Sequence, residues 1–424
     1  MNIKKSTIAA SMLAASFQAW GSGFQVVEQG ASNLGTALAG AVVNANNDAT
    51  AAYWNPSAAF FVQSENKIDS AGSFLVPTMQ FQGTATYPTG AEVPGTDGGN
   101  AGKLAFVPNF FYVKKFGDQW LGTVSITSPF GLETRYSDDF VGRQHGIQSN
   151  LMTLQINPSV AYKPLDWLSF SIGASADYIN AELSSTTYIT THPALGPVEA
   201  RTRANGHSWS GSFNVGVTAK FLETGRIGVA YRHRIDQNLS GSLYLQNSQI
   251  GLNQDKPITA DLSLPSNMTV GVYYRFKDAP IAVMADYAFT QWNLFNTLTL
   301  VESDAPNTEY VTKENWKNTS RVSIGAHYFP SWDRNMVLRI GMAWDESPVR
   351  NSHYRTPRIP DSNRWWASFG IGYKIDWLNL DFGYTYILFD DVNINNDVEP
   401  GKGTINGSYT GHAHVISFQA GISW

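Results

Sequence analysis

Residues 414–424 read HVISFQAGISW. Ile416, Phe418, Ala420, Ile422 and Trp424 share one parity, and Ser417, Gln419, Gly421 and Ser423 share the other. A period of two places each set on its own face of a β-strand. The pattern recurs. RVSIGAHYF sets Val322, Ile324, Ala326 and Tyr328 against Arg321, Ser323, Gly325 and His327, and VLRIGMAWD sets Leu338, Ile340, Met342 and Trp344 against Arg339, Gly341, Ala343 and Asp345. A chain of such segments folds as sheet with one apolar and one polar face. In a soluble sandwich the apolar face is the buried one. In a membrane barrel it meets lipid, and the polar face meets the lumen. Periodicity alone allows both.

The N-terminus favours the barrel. MNIKKSTIAASMLAASFQAWGSGFQ carries Lys4 and Lys5, an apolar run from about Ile8 to Ala19, then small residues. This predicts a secretory signal peptide over residues 1–21, cut after Gly21. No later stretch reaches the roughly 20 apolar residues of a membrane-spanning helix. The mature chain is therefore exported, and rows of Gly with Arg and Asp on the polar parity, with an aromatic last residue, favour a membrane sheet. The net charge of −5 has no basic stripe within it, which argues against a nucleic-acid partner. With no cysteine, disulfides and thiolate metal sites are excluded. No cofactor and no metal are expected.

About fourteen alternating segments lie between Ser64 and Trp424, an even number that suits a single-chain barrel. They centre on Ser73, Phe111, Ser125, Val160, Ser171, Phe213, Val229, Val270, Met284, Ile324, Leu338, Phe369, Phe382 and Phe418. Tight breaks such as KPLDW and ETGR alternate with long polar ones, at about 83–102, 134–148, 185–205, 245–258, 302–315, 346–362 and 393–407. The tight breaks read as periplasmic turns and the long ones as extracellular loops. The expected fold is an all-β membrane protein: a 14-stranded antiparallel outer-membrane β-barrel over residues 64–424.

Residues 22–63 do not alternate. SNLGTALAG places Leu34 and Leu38 one turn apart, with Ser32 or Asn33 as cap and Gly40 as stop. Asp48 can cap ATAAYW. Asn55 and Pro56 then read as an N-cap and a first helical position, opening SAAFF. A lumen of about fourteen strands is too wide for side chains alone to close. The segment is therefore expected to fold inside the barrel as a small helical hatch, or plug.

The residues also carry a resemblance. SGFQVVEQGASNLGTALAGAVVNANNDATAAYWNPSA, ITSPFGLETRY and RIGMAWDESPVRNSHYRTPRIPDSNRWWASFGIGY resemble the hatch, the kinked third strand and a later strand–loop–strand block of the FadL-type outer-membrane transporters. That family takes up long-chain fatty acids and, in some relatives, toluene-like hydrocarbons. The resemblance implies passive uptake of a hydrophobic small molecule, a mobile hatch and a lateral exit through the wall, in the Gram-negative outer membrane. Two departures stand out. The hatch tripeptide is Asn55-Pro56-Ser57 where Asn-Pro-Ala is common, and DYINAELSS lacks an arginine that fatty acid transporters place near the ligand. Fatty acid and aromatic hydrocarbon both remain open as cargo.

Candidate residues follow. Phe24, Asn55, Pro56 and Ser57 belong to the expected hatch, with Asn55 close to ligand. Lys317 and Arg321 share the lumen parity, Lys313 extends that row, and Arg364 shares parity with Ser368 and Gly370. A fatty acid headgroup needs such a cation beside an apolar pocket; the alternative is that these cations pair with Asp286 or Asp345. Of the four, Lys313 and Arg364 are favoured by the resemblance. Pro129 interrupts VSITSPFGLE, and proline is foreign to the middle of a strand. A kink at Ser128, Pro129, Phe130 and Gly131 is expected to open the wall and to re-aim Ser128. A barrel enzyme is the rival class, but His233, His412 and His414, read as lumen or loop residues, have no nucleophile context. An open porin is argued against by the hatch. The remaining expectations are a monomer surrounded by outer-membrane lipid and lipopolysaccharide, with extracellular loops as a candidate phage receptor surface.

Overall fold

A computed structural model describes residues 22–193 and 196–424; the expected signal peptide, residues 1–21, lies outside them. The strand segments, in chain order, are β1 (Asn66–Thr86), β2 (Ala105–Lys115), β3 (Trp120–Thr127), β4 (Gly131–Arg135), β5 (Gln148–Leu165), β6 (Leu168–His192) and β7 (Gly196–Phe221). Then come β8 (Gly225–Arg232), β9 (Ile235–Asn247), β10 (Leu252–Leu264), β11 (Asn267–Arg275), β12 (Ile281–Thr290), β13 (Thr297–Glu302) and β14 (Ala305–Lys313). Last are β15 (Thr319–Tyr328), β16 (Met336–Asp345), β17 (Arg364–Ile375), β18 (Leu378–Phe389), β19 (Val392–Asn396) and β20 (Thr404–Ser423).

Six pairs of consecutive segments are single staves with a break: β3/β4, β8/β9, β10/β11, β12/β13, β14/β15 and β18/β19. Joining them leaves a closed antiparallel barrel of 14 strands. Closure is by β1 on β20, in register from Lys67↔Ser423 to Thr86↔Thr404. Each of the expected strand centres falls within a stave. The long polar breaks were read too generously as loop. β6 and β7 stay paired out to His192↔Gly196, and β9 pairs with β10 from Leu252↔Asn247. Most of 185–205 and 245–258 is thus hairpin that runs on past the apolar band, and β14 occupies most of 302–315. Beyond the membrane both strand faces are wet, so the alternation that marks a strand fades while the hydrogen bonds continue.

The distribution of side chains is inside out. Ile340 and Met342 on β16 are 64% and 53% exposed, whereas Arg339 and Asp345 on the other parity are 6% and 4% exposed. A soluble sheet would show the reverse. Trp120, Trp167, Trp332, Trp377 and Trp424 are exposed at the tight-turn end, where they form an interfacial girdle. Strands such as β15 and β16, ten residues each, match the roughly 9–11 residues of a tilted span. No helix among the described residues is long and apolar enough to cross a membrane. His412 and His414, expected in the lumen or a loop, share the outward parity of Ile416 and Phe418, and His414 Nδ1 meets the Tyr384 hydroxyl at 2.9 Å.

Residues 22–62 are almost wholly buried against the inward faces of the strands. Helix α1 (Ala31–Leu34) is a single turn capped by Gly30, so neither Ser32 nor Asn33 caps it. Ser32 instead donates to Asp48 at 2.6 Å, and Asn33 donates to Thr50 at 2.8 Å. Helix α2 (Ala51–Trp54) follows Asp48, whose Oδ1 accepts from the Thr50 N–H at 3.1 Å. Asn55 does cap, its side chain accepting from the Ser57 N–H, but the turn it opens, Pro56–Phe61, is 3₁₀. Close backbone approach replaces side-chain packing where this segment meets the wall. A Cβ on Gly341 would lie 2.1 Å from the Thr36 carbonyl carbon, and one on Gly370 would lie 2.8 Å from Gly35 Cα. Asp286 points inward from β12 and accepts from the Gly40 and Val42 N–H groups at 2.8 and 3.3 Å.

Candidate ligand cavity and the broken stave

Toward the long-loop end of the barrel, a cavity opens among Leu132, Leu151, Leu239, Ile258, Leu262 and Leu298. These are inward positions of the upper strand segments. They are apolar where the lower lumen is polar, so the cavity is suited to a greasy solute. Phe24 reaches it from the N-terminal segment. Its ring stands edge-on to Trp292 and Phe295, with centroids 4.8 and 5.6 Å away, and lies 6.1 Å from Phe130. Trp316 completes this cluster at 5.7 Å. Gly23 lets Phe24 lie so close: it has φ +65°, and a Cβ there would meet the Trp316 ring at 2.7 Å.

Two charged groups line the same cavity, Arg358 and Glu314. Arg358 donates to the Gln148 carbonyl at 3.1 Å and to Ser149 Oγ at 3.3 Å. Burial lowers its pKa to about 10. Glu314 Oε2 accepts from the Trp316 indole at 3.1 Å. Burial, reinforced by Glu399, raises the Glu314 carboxyl to about 8, so it is largely protonated at neutral pH. Arg358 is the cation that the sequence reading passed over. It lies in the irregular stretch 346–363, where strand parity says nothing.

The cations that parity did select lie elsewhere. Arg364 is fully buried, with its guanidinium on the Asp361 carboxylate and 3.8 Å from Asp345. Lys317 Nζ is 2.5 Å from Glu346. Lys313 offers its backbone N–H to Glu399 at 3.2 Å. None of the three lines the cavity. Asn55 is also buried and committed: its amide donates to the Val42 carbonyl at 2.8 Å and to Thr218 at 3.0 Å, while Ser57 Oγ donates to its oxygen at 2.7 Å. Pro56 begins the turn that carries Ser57. These contacts bind the N-terminal segment to β7 rather than facing the cavity.

Below the cavity the third stave is broken. β3 pairs with β5 up to Thr127↔Gln155, and β4 resumes at Gly131↔Met152. Ser128, Pro129 and Phe130 thus oppose only Thr153 and Leu154, which is a bulge. Ser128, which regular alternation would turn outward, is buried, and its hydroxyl donates to the Thr153 carbonyl at 2.5 Å. The broken stretch pairs with the N-terminal segment instead. Val26 N–H donates to the Pro129 carbonyl at 2.9 Å, and Gly131 N–H donates to the Phe24 carbonyl at 3.0 Å. Gln29 donates to the Ser128 carbonyl at 3.0 Å. On the other side, β2 pairs with β3 only from Phe110↔Ile126 toward the tight-turn end, so Ala105–Asn109 have no ladder partner on that edge. A smaller void touches Gln25, Tyr53, Pro129, Phe130 and Arg232.

An outer-membrane barrel with an apolar cavity, a filled lumen and a break in its wall is a channel for hydrophobic solutes rather than an open pore. Residues 12–424 match the family described as outer membrane protein transport protein (OMPP1/FadL/TodX). The chain is 30% identical over 419 residues to the long-chain fatty acid transport protein of Salmonella typhi, covering 92% of this chain and 93% of that one. It is 28% identical to the protein of the same name from Escherichia coli K12, with the same coverage. Among solved structures, a Pseudomonas aeruginosa FadL homologue superposes with a TM-score of 0.87 at 22% identity, covering 95% of this chain and 99% of that one. The Ralstonia pickettii toluene transporter TbuX superposes at 0.67 with 18% identity, covering 92% and 97%. The chain belongs to the OMPP1/FadL/TodX family, the outer-membrane transporters of hydrophobic compounds in Gram-negative bacteria.

Proposed function

We infer that the protein takes up long-chain fatty acids by passive diffusion, with neither chemistry nor cofactor. The observation that carries this reading is Arg358, a buried guanidinium on the wall of an otherwise apolar cavity. An ionised carboxylate gains a charge-assisted hydrogen bond there, and each methylene of its chain gains roughly 0.8 kcal/mol over water. Residues 22–63 act as the hatch, and Phe24 closes the cavity floor. When Phe24 swings aside, cargo reaches the break at Ser128–Gly131 and leaves sideways between β2 and β3 into the membrane. Release into lipid avoids the aqueous step that an open porin would impose. The names of the fatty acid relatives support this cargo; the toluene transporters share the fold alone. Aromatic hydrocarbons are the second reading, favoured by the ring cluster around Phe24.

Replacing Arg358 with Gln tests the assignment. Binding of oleate to the purified protein should weaken about tenfold or more, the worth of one hydrogen bond to a charged group, while toluene binding stays within twofold. Arg364→Met in the same assay should lower thermal stability, because it strands Asp345 and Asp361, and should leave the ratio of the two ligands unchanged. Equal loss of both ligands on changing Arg358 would make that residue structural and leave the cargo reading without its cation.

A further inference from the structure

At the tight-turn end of the lumen, opposite the apolar cavity, a second void lies open between the N-terminal segment and the wall. Arg226, Arg275, Lys220, His327 and Arg339 all line it. The topology puts them there. His327 of β15 registers with Arg339 of β16 and, on its other side, with Ala282 of β12, which registers with Arg275. Arg226 of β8 registers with Tyr273, two residues before Arg275. These inward positions form a cationic arc on neighbouring staves at one height. Carboxylates do not answer it in kind. Asp381 takes up Arg339 at 2.7 Å, and Glu223 is engaged by Lys277. Arg226, Arg275 and Lys220 make no ion pair among the described residues.

Aromatic rings hold these cations instead. The Arg226 guanidinium lies 3.7 Å over the Phe61 ring and 4.9 Å from that of Tyr273. Arg275 lies 3.7 Å over Phe329, and Lys220 lies 5.4 Å over Phe61. Stacking fixes a guanidinium in place without neutralising it; part of each N–H edge is used, by Arg226 on the Asn44 carbonyl and by Arg275 on Tyr273, and the rest remains to donate. His327 adds an independent sign of a missing partner. It is 2% exposed, lines the void, and its Nε2 has no hydrogen-bond partner. An unsatisfied buried nitrogen beside uncompensated cations is the environment of an oxyanion site.

We propose that the periplasmic mouth of the lumen binds an oxyanion, a phosphate or carboxylate group, between Arg226, Arg275, Lys220 and His327. Asn46, Asn47 and Phe61 of the N-terminal segment border the same void, so a bound anion bridges that segment to the wall. Arg226 already donates to the Asn44 carbonyl at 2.7 Å; the anion extends the same bolt. The chemistry fits a free phosphate and the headgroup of an amphiphile equally. The site is independent of the cargo cavity, so the fate of either assignment leaves the other standing.

The test uses the intact protein in dodecyl maltoside, titrated calorimetrically with inorganic phosphate and, separately, with dodecyl phosphate. Binding of both, with a rise in unfolding temperature, supports a site open to free anions; binding of dodecyl phosphate alone supports a headgroup source here only where Arg275→Gln weakens it and Arg358→Gln does not, since the cargo cavity also suits such an amphiphile. Arg275→Gln, which removes a guanidinium stacked on Phe329 of the wall, should weaken binding about tenfold while oleate affinity holds. Arg226→Gln together with Arg275→Gln should abolish it, with the heat-resistant mobility of the folded barrel as a control. Phosphate and dodecyl phosphate both failing to bind, or binding unchanged in a folded Arg275→Gln protein, would overturn the proposal.

Discussion

Glu314 and Arg358 line one cavity, yet they answer pH differently. Arg358, lowered only to about 10, stays charged throughout the physiological range. Glu314 is raised from 4.5 to about 8. The folded protein therefore holds a proton that an unfolded chain releases near 4.5. Glu314 favours folding fully below that value, and its contribution fades as pH rises through about 8. Binding of a carboxylate cargo should follow the same course. Below pH 8 the cargo meets a cation and a neutral acid; above it, a cation already matched by an anion. Oleate affinity should fall roughly tenfold between pH 7 and pH 9, the scale of one added charge a few ångströms away in a partly polar site. Toluene affinity should not move. Glu314→Gln should flatten the oleate curve, and an unaltered pH profile in that variant would remove Glu314 from the site. Neither residue was visible by parity, since each lies off the regular strands. Parity places Arg364 on the inward side, where it is buried, but parity reports a direction and not a partner, and Asp361, three residues earlier, holds that guanidinium.

At the scale of elements, the third stave was the most legible part of the site. Pro129 has no N–H to give a ladder, and the structure breaks β3 from β4 at Ser128–Phe130. What sequence could not supply was the substitute partner. The Phe24–Gln29 stretch pairs with the break, a contact between residues about a hundred positions apart. Changing Pro129→Val and Gly131→Val together restores a donor and favours a regular strand. Uptake of labelled oleate by cells lacking their own transporter should collapse, while the purified variant keeps its heat-resistant mobility on a gel. Full uptake through a folded double variant would exclude the lateral route. The helices were less legible than the strands. A four-residue α1 makes few bonds of its own, so Gly30, Asp48 and the close wall at Gly341 decide its shape, and local propensity does not.

For the molecule as a whole, strand number and closure were readable because lipid enforces alternation on every stave it touches. The hairpin extensions were not, because water on both faces enforces nothing. The lumen filling has a direct electrical consequence. The strands satisfy one another's backbone groups, so deletion of residues 22–63 should leave a folded barrel. Single-channel conductance should rise severalfold, as for a wider water path; conductance equal to that of the intact protein would show that these residues do not plug it. Hydrogen bonds between the N-terminal segment and the broken stave then couple filling to wall. The Phe24 side chain floors the apolar cavity, and its carbonyl holds the Gly131 N–H of the broken stave. On the proposed route, loading and unloading would be interlocked through Phe24, like the two doors of an airlock on one spindle. A solute too small or too polar to dislodge the Phe24 ring should then not turn the spindle, and the barrel should stay sealed to it without any energy source.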